Sequence, residues 1–290
     1  MSNEDLPVAV IGAGPVGLAA AAHLAERRLP FFVLEQGPRV AHAVAQWAHV
    51  RIFSPWRYNI DDAARRLLSD RGWSAPDPEH LPTGRELIAD YLQPLADHPA
   101  IRPHLSFNLK VRAIGRLGID KVRTAGRDEQ PFEITLTNGG RRLARAIIDA
   151  SGTWFSPNPL GAGGYPAPGE DEAARRIVYG IPDILRQDRA RFAGKRVLVV
   201  GSGHSAIQSV LDLVRLKREA PDTKVTWAIR RDNPEGLFGG EDMDLFRLAE
   251  SSGRAPARSS ARMRSNLFAR SASTGSARLA GFSSSAAPAD

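Results

Sequence analysis

Cysteine is absent from this 290-residue chain. That excludes a thiol nucleophile, a Cys-x-x-Cys redox pair, a disulfide framework and a cysteine-ligated zinc, and no metal site is expected. No apolar run approaches the roughly 18 residues that a membrane span needs, and the opening MSNEDLP has no signal-peptide pattern. The expected location is therefore the cytoplasm, with no membrane partner. Acidic excess is lacking too, because the net charge is +7. Residues 251–290 hold six arginines (Arg254, Arg258, Arg262, Arg264, Arg270 and Arg278) against Asp290, which leaves +2 for everything before them. The basicity sits mainly in those last 40 residues, so it gives no reason to expect nucleic acid as a partner of the rest.

Glycine, by contrast, is placed with a pattern. In PVAVIGAGPVGLAAAAHLAERRLPFFVLEQG, the apolar strand Val8–Ile11 runs into Gly12-Ala13-Gly14-Pro15-Val16-Gly17, then an Ala/Leu-rich helix to about Arg28, then a second strand, Phe31–Leu34, ending in Glu35. Gly12 allows the tight turn, Gly14 lets backbone approach a pyrophosphate, and Gly17 lets the helix pack close to the strand. The helix start offers free N–H groups and partial positive charge to phosphates. Glu35, 23 residues past Gly12, is placed to accept from ribose hydroxyls. A plain strand-turn-helix is the alternative.

The pattern returns in RVLVVGSGHSAIQSVLDLVRLKREAPDTKVTWAIRR. Strand Val197–Val200 leads into Gly201-Ser202-Gly203-His204-Ser205-Ala206, with Ala206 where the third glycine stood. The next strand, Val225–Ile229, ends in Arg230 and Arg231 instead of an acid. Arginine can pair with a 2′-phosphate in two-pronged fashion, so this site reads as one for NADP. A solvated strand end is the alternative. His204 is either a phosphate contact or a plain helix-start residue.

Between the loops, TGRELIADYLQPLADHP predicts one helix, with Thr83 and Glu86 as a capping box and Leu87, Ile88, Tyr91, Leu92 and Leu95 as its buried stripe. LSFNLKVRAIGRL and PFEITLT predict strands, and Asn138-Gly139 a hairpin turn. The return strand Ala146–Ala150 ends in Ser151-Gly152-Thr153, small residues that suit a backbone passing a flat ligand. PNPLGAGGYPAPGED, rich in Gly and Pro, predicts a linker.

Together, VAVIGAGPVGLAAAAHLAERRLPFFVLEQG, IIDASGTW and GKRVLVVGSGHSA resemble the two-dinucleotide-binding flavoproteins, and within them bacterial relatives of the flavin-containing monooxygenases, over about residues 6–244. The resemblance implies an α/β fold of FAD/NAD(P)-binding Rossmann-like type: parallel sheets with helices, an inserted β-meander and a disordered tail. It implies an FAD-binding domain over 1–158, a partial NADPH-binding domain over 159–246 and a Ser/Ala/Arg-rich tail over 247–290. By the same likeness, FAD is held by Gly12, Gly14, Pro15, Gly17, Glu35, Trp47, Ser54, Trp56, Ser151, Gly152 and Thr153. NADPH is held by Gly201, Gly203, His204, Ser205, Ala206, Arg230 and Arg231. The expected activity is hydride transfer from NADPH to FAD, with a small-molecule substrate and molecular oxygen as partners; no catalytic residue is assigned. The monooxygenase pattern Phe-x-Gly-x-x-x-His is met here only by Tyr179 and Gly180, with no His. Ser, Ala and Arg make up 27 of residues 251–290, without helical or strand period. The switch after Leu245 is the pattern expected of a shifted reading frame, so a truncated, non-catalytic dinucleotide-binding fragment is the alternative function.

Overall fold

The computed structural model describes residues 3–161 and 163–229. Arg230, Arg231 and the 247–290 tail lie outside the described residues.

The first strand, β1 (Val8–Ile11), is buried along its length. It feeds α1 (Pro15–Glu26) and β2 (Phe31–Leu34). Then come α2 (His42–Ala45), α3 (Asp62–Ser69), α4 (Gly84–Glu86), a wide π-helical segment over Leu87–Leu92, and α5 (Gln93–Asp97). The strands β3 (Leu105–Ser106), β4 (Val111–Arg116), β5 (Phe132–Leu136), β6 (Arg141–Ala144) and β7 (Ala146–Asp149) follow. After α6 (Arg189–Phe192) come β8 (Arg196–Val200), α7 (His204–Glu219) and β9 (Lys224–Ala228).

The main sheet runs β3-β2-β1-β7, all parallel, with Val8 opposite both Phe31 and Ala146. Side chains alternate across a strand, so β1 serves two cores. Val8 and Val10 pack with Leu18, Ala21 and Ala22 of α1 and with α3 and α5. Ala9 and Ile11 face the other way, onto Ile134, Leu136 and Ala144 of the antiparallel meander β4-β5-β6. The meander thus covers one face of the parallel sheet and the helices cover the other, as a buried parallel sheet requires.

Three local readings are refined by contacts distant in sequence. The helix expected over 83–99 starts with the Thr83–Glu86 capping box, but it widens at Leu87–Leu92 before α5. Pro94 has no N–H to give Asp90, and the Trp73 indole donates to that carbonyl instead, at 2.9 Å. The run LSFNLKVRAIGRL is two strands, not one. Asn108 takes a left-handed φ of 57° and gives its N–H to Gly37, so β3 joins the parallel sheet and β4 the meander. Finally, the Gly/Pro-rich linker is tied down by Glu170, which is buried. It accepts from the amides of Leu160 and Ala167 and from the Tyr179 hydroxyl.

Leu213 and Leu216 of α7 pack on Val197, Val199 and Val225, covering one face of the parallel β8-β9 pair. On the opposite face Leu198 is 60% exposed and Val200 49%.

Candidate functional site

The β1–α1 turn lies at the carboxyl end of the main sheet, beside the end of β7. That is where the strand order changes direction, the place where open α/β sheets bind ligands. Its three glycines differ in what they are for. Gly12 has φ +99°, and a Cβ there would lie 2.5 Å from the Ala150 carbonyl oxygen. A Cβ on Gly17 would run into the carbonyl oxygen of Gly12. Gly14, the residue that caps α1, has open space where its Cβ would go, and no side chain caps the helix. Pro15 starts α1, where the missing N–H costs nothing.

Glu35 is buried at the end of β2 and clamps this turn. Its Oε2 accepts from the Ala13 amide at 2.8 Å, and its Oε1 from the Gly37 amide at 2.7 Å. An ionised carboxylate accepts about four hydrogen bonds, so capacity for hydroxyl donors remains. Ser151, Gly152 and Thr153 are exposed just past β7, with the Ser151 Cα 3.1 Å from the Cβ position of Gly12. Hydrogen bonds from the Ser151 hydroxyl and amide hold the Asp149 carboxyl below its ordinary range.

Of the aromatic segment, Trp47 is half-buried and lies against Gly84, whose Cβ would come within 2.9 Å of the indole. The Ser54 hydroxyl donates to Asn59 Oδ1 at 2.8 Å. Trp56 is 1% exposed and sits edge-on to Tyr91 at 6.5 Å, so its ring belongs to the core and has no face for a ligand. Burial pushes the Tyr91 hydroxyl up to about 12.

The second turn repeats the first with one relaxed contact. Gly201 has φ +121°, and its Cβ position lies 3.8 Å from the Ala206 Cβ, an ordinary contact. Gly203 faces open space and caps α7 without a side-chain bond. Gly203, His204 and Ser205 are exposed. The Trp227 indole donates to the Gly201 carbonyl at 2.7 Å, fixing the turn to β9.

Sequence reasoning did not single out Phe53, His42 or Asp212. The Phe53 ring stacks on His204, centroids 4.1 Å apart and planes 10° apart. His42 stacks on Phe155 at 5.5 Å, and its Nδ1 is buried without a partner. Asp212 of α7 is buried between Gln208 (2.9 Å) and Arg215 (3.1 Å); burial pushes its carboxyl up, against the smaller downward pull of those two side chains and the charge on His49. None of these has a local signature, because each partner lies far off in sequence or depends on burial.

A ferredoxin–NADP reductase from Thermus thermophilus is 27% identical over 219 residues, covering 75% of this chain and 52% of its own length. An indole-3-pyruvate monooxygenase from Oryza sativa is 29% identical over 212 residues, 71% of this chain and 44% of that protein. A Baeyer-Villiger monooxygenase from Streptomyces coelicolor is 31% identical over 215 residues, 72% of this chain and 36% of that protein. The chain spans about half the length of the curated relatives it matches. Among solved structures, a flavin-containing monooxygenase from Stenotrophomonas maltophilia shares the fold with TM-score 0.54 and 22% identity, over 84% of this chain and 63% of that one. A bacillithiol disulfide reductase from Staphylococcus aureus does so with TM-score 0.53 and 16% identity, over 86% and 64%. The family profile described as pyridine nucleotide-disulphide oxidoreductase matches residues 9–235, and the chain belongs to that family.

Proposed function

We propose that this protein is an FAD-dependent oxidoreductase that accepts hydride from NADPH. The observation that carries the reading is the pair of strand-glycine-helix turns. Each has a left-handed first glycine (Gly12, Gly201) and a middle glycine facing open space (Gly14, Gly203). Those two bare faces fit the pyrophosphates of two dinucleotides. Gly12, Gly14, Pro15 and Gly17 let one pyrophosphate meet the start of α1, Glu35 takes ribose hydroxyls, and Ser151, Gly152 and Thr153 border the flavin. Trp47 and Ser54 flank that site. Trp56 supports it from the core. Gly201, Gly203, His204, Ser205 and Ala206 receive the second pyrophosphate, and Arg230 and Arg231 pair with the 2′-phosphate.

When bound, FAD supplies two-electron chemistry, taking hydride from the nicotinamide and passing electrons to the next acceptor. The chain's own part is to bind, align and exclude water. It has no cysteine, so that acceptor is not a thiol pair of this chain. A small organic molecule with molecular oxygen is the proposed substrate pair, and the cytoplasm the proposed location. No helix among the described residues is long and apolar enough to cross a membrane.

A second reading, a dinucleotide-binding protein without turnover, is favoured by the exposed Leu198 and Val200 face of β8-β9, which the described residues leave open. Steady-state consumption of NADPH and NADH by the FAD-loaded chain separates the two. The first reading expects turnover with NADPH preferred about tenfold or more, the worth of one charge-assisted hydrogen bond. Retained FAD with no turnover of either nucleotide supports the second.

A further inference from the structure

We propose that Phe53 is a positioning residue for the second dinucleotide. It holds the His204 imidazole flat at the start of α7, so that the ring edge meets a phosphate. This rests on the reading of the Gly201–Ala206 turn as the NADPH site.

The stack is close and nearly coplanar, at 4.1 Å and 10°. A ring packed on its face is fixed in tilt, while its two edge nitrogens stay available. The His204 imidazole makes no hydrogen bond among the described residues, and the residue is exposed. It directly follows Gly203, whose open face marks where a pyrophosphate would enter. A helix start draws such a group, and an imidazole N–H aimed alongside adds a donor of fixed direction.

Phe53 can set that direction because its own backbone is held. Thr83 pairs with Arg51 in an isolated bridge, Pro82 accepts from the Ile52 amide at 2.7 Å, and the Gly84 amide donates to Val50 at 2.9 Å. The capping box at Thr83 and Glu86 stiffens that backing. Through this stack the segment held by residues 82–84 sets the direction of the His204 ring at the Gly201–Ala206 turn.

The test is NADP+ binding to the full chain by calorimetry, alongside FAD affinity and melting without ligand. Phe53→Ala is expected to weaken NADP+ about three- to tenfold, the range of one aromatic stack, with FAD affinity unchanged. Phe53→Tyr and Phe53→Trp keep a ring and should restore binding. Phe53→Leu keeps an apolar side chain without a ring and should not, and it serves should Phe53→Ala fold poorly. In a His204→Ala background, Phe53→Ala should add no further loss, since it acts through that imidazole. Unchanged NADP+ affinity in both Phe53→Ala and Phe53→Leu, or losses that multiply with His204→Ala, would overturn the proposal while leaving the NADPH site standing. A wild-type chain that binds FAD but not NADP+ would overturn the NADPH reading and this proposal with it.

Discussion

A Cβ on Gly17 would occupy the place of the Gly12 carbonyl oxygen, whereas a Cβ on Gly14, three residues earlier, would touch nothing. The two glycines of one turn thus serve different ends, one the packing of α1 on β1 and the other a free approach to the turn. Gly17→Ala should cost fold stability of about 1–3 kcal/mol, as overpacking does, read by chemical denaturation. Gly14 has φ −82°, which alanine adopts freely. Gly14→Ala should therefore leave stability within about 0.5 kcal/mol and still weaken FAD binding in a fluorescence titration. Equal stability losses in both variants would contradict the division of roles.

Trp56 gives a prediction of the opposite kind. It is 1% exposed against Tyr91, inside the core that carries α1 and α5. Trp56→Ala should cost about 3–5 kcal/mol, a large share of a typical fold's 5–15 kcal/mol. A variant that keeps its denaturation midpoint but loses flavin would place this ring at the ligand instead.

Asp212 makes stability depend on pH. Its folded carboxyl is raised chiefly by burial, so the folded state binds protons more readily than the unfolded chain does. The sign follows: its favourable contribution is fully present below the unfolded value and is lost as pH rises through the folded one. Asp212→Asn keeps a polar side chain beside Gln208 and Arg215 without a charge to bury. It should gain most over the wild type near neutral pH, and that gain should shrink as pH falls toward 4. Denaturation of both proteins across this range checks it, and a gap independent of pH would contradict the assignment.

The parts of this molecule written in short, local spacings were legible. Gly12, Gly14, Gly17 and Glu35 announce the first turn, Gly201 and Gly203 the second, and Thr83 with Glu86 a helix start. Asn138-Gly139 likewise gave the hairpin, where Gly139 takes φ +84°. What escaped was decided by partners far away in sequence. Nothing around Asp90 says that Trp73 will satisfy its carbonyl, and nothing in LSFNLKVRAIGRL says that Gly37 will capture the Asn108 amide and split the run. Trp56 reads as an aromatic beside a ligand until Tyr91 covers it. Phe53 shows its use only once α7, about 150 residues on, lies against it.

The most direct test of the two-nucleotide reading is the visible spectrum of the purified chain, taken with FAD and then after adding NADPH without oxygen. A bound-flavin band that bleaches on NADPH is the expected result, since it requires both turns to be filled and aligned. A flavin band that persists would mean that the second turn delivers no hydride, and no retained flavin at all would contradict the assignment of Gly12, Gly14, Gly17 and Glu35 to FAD.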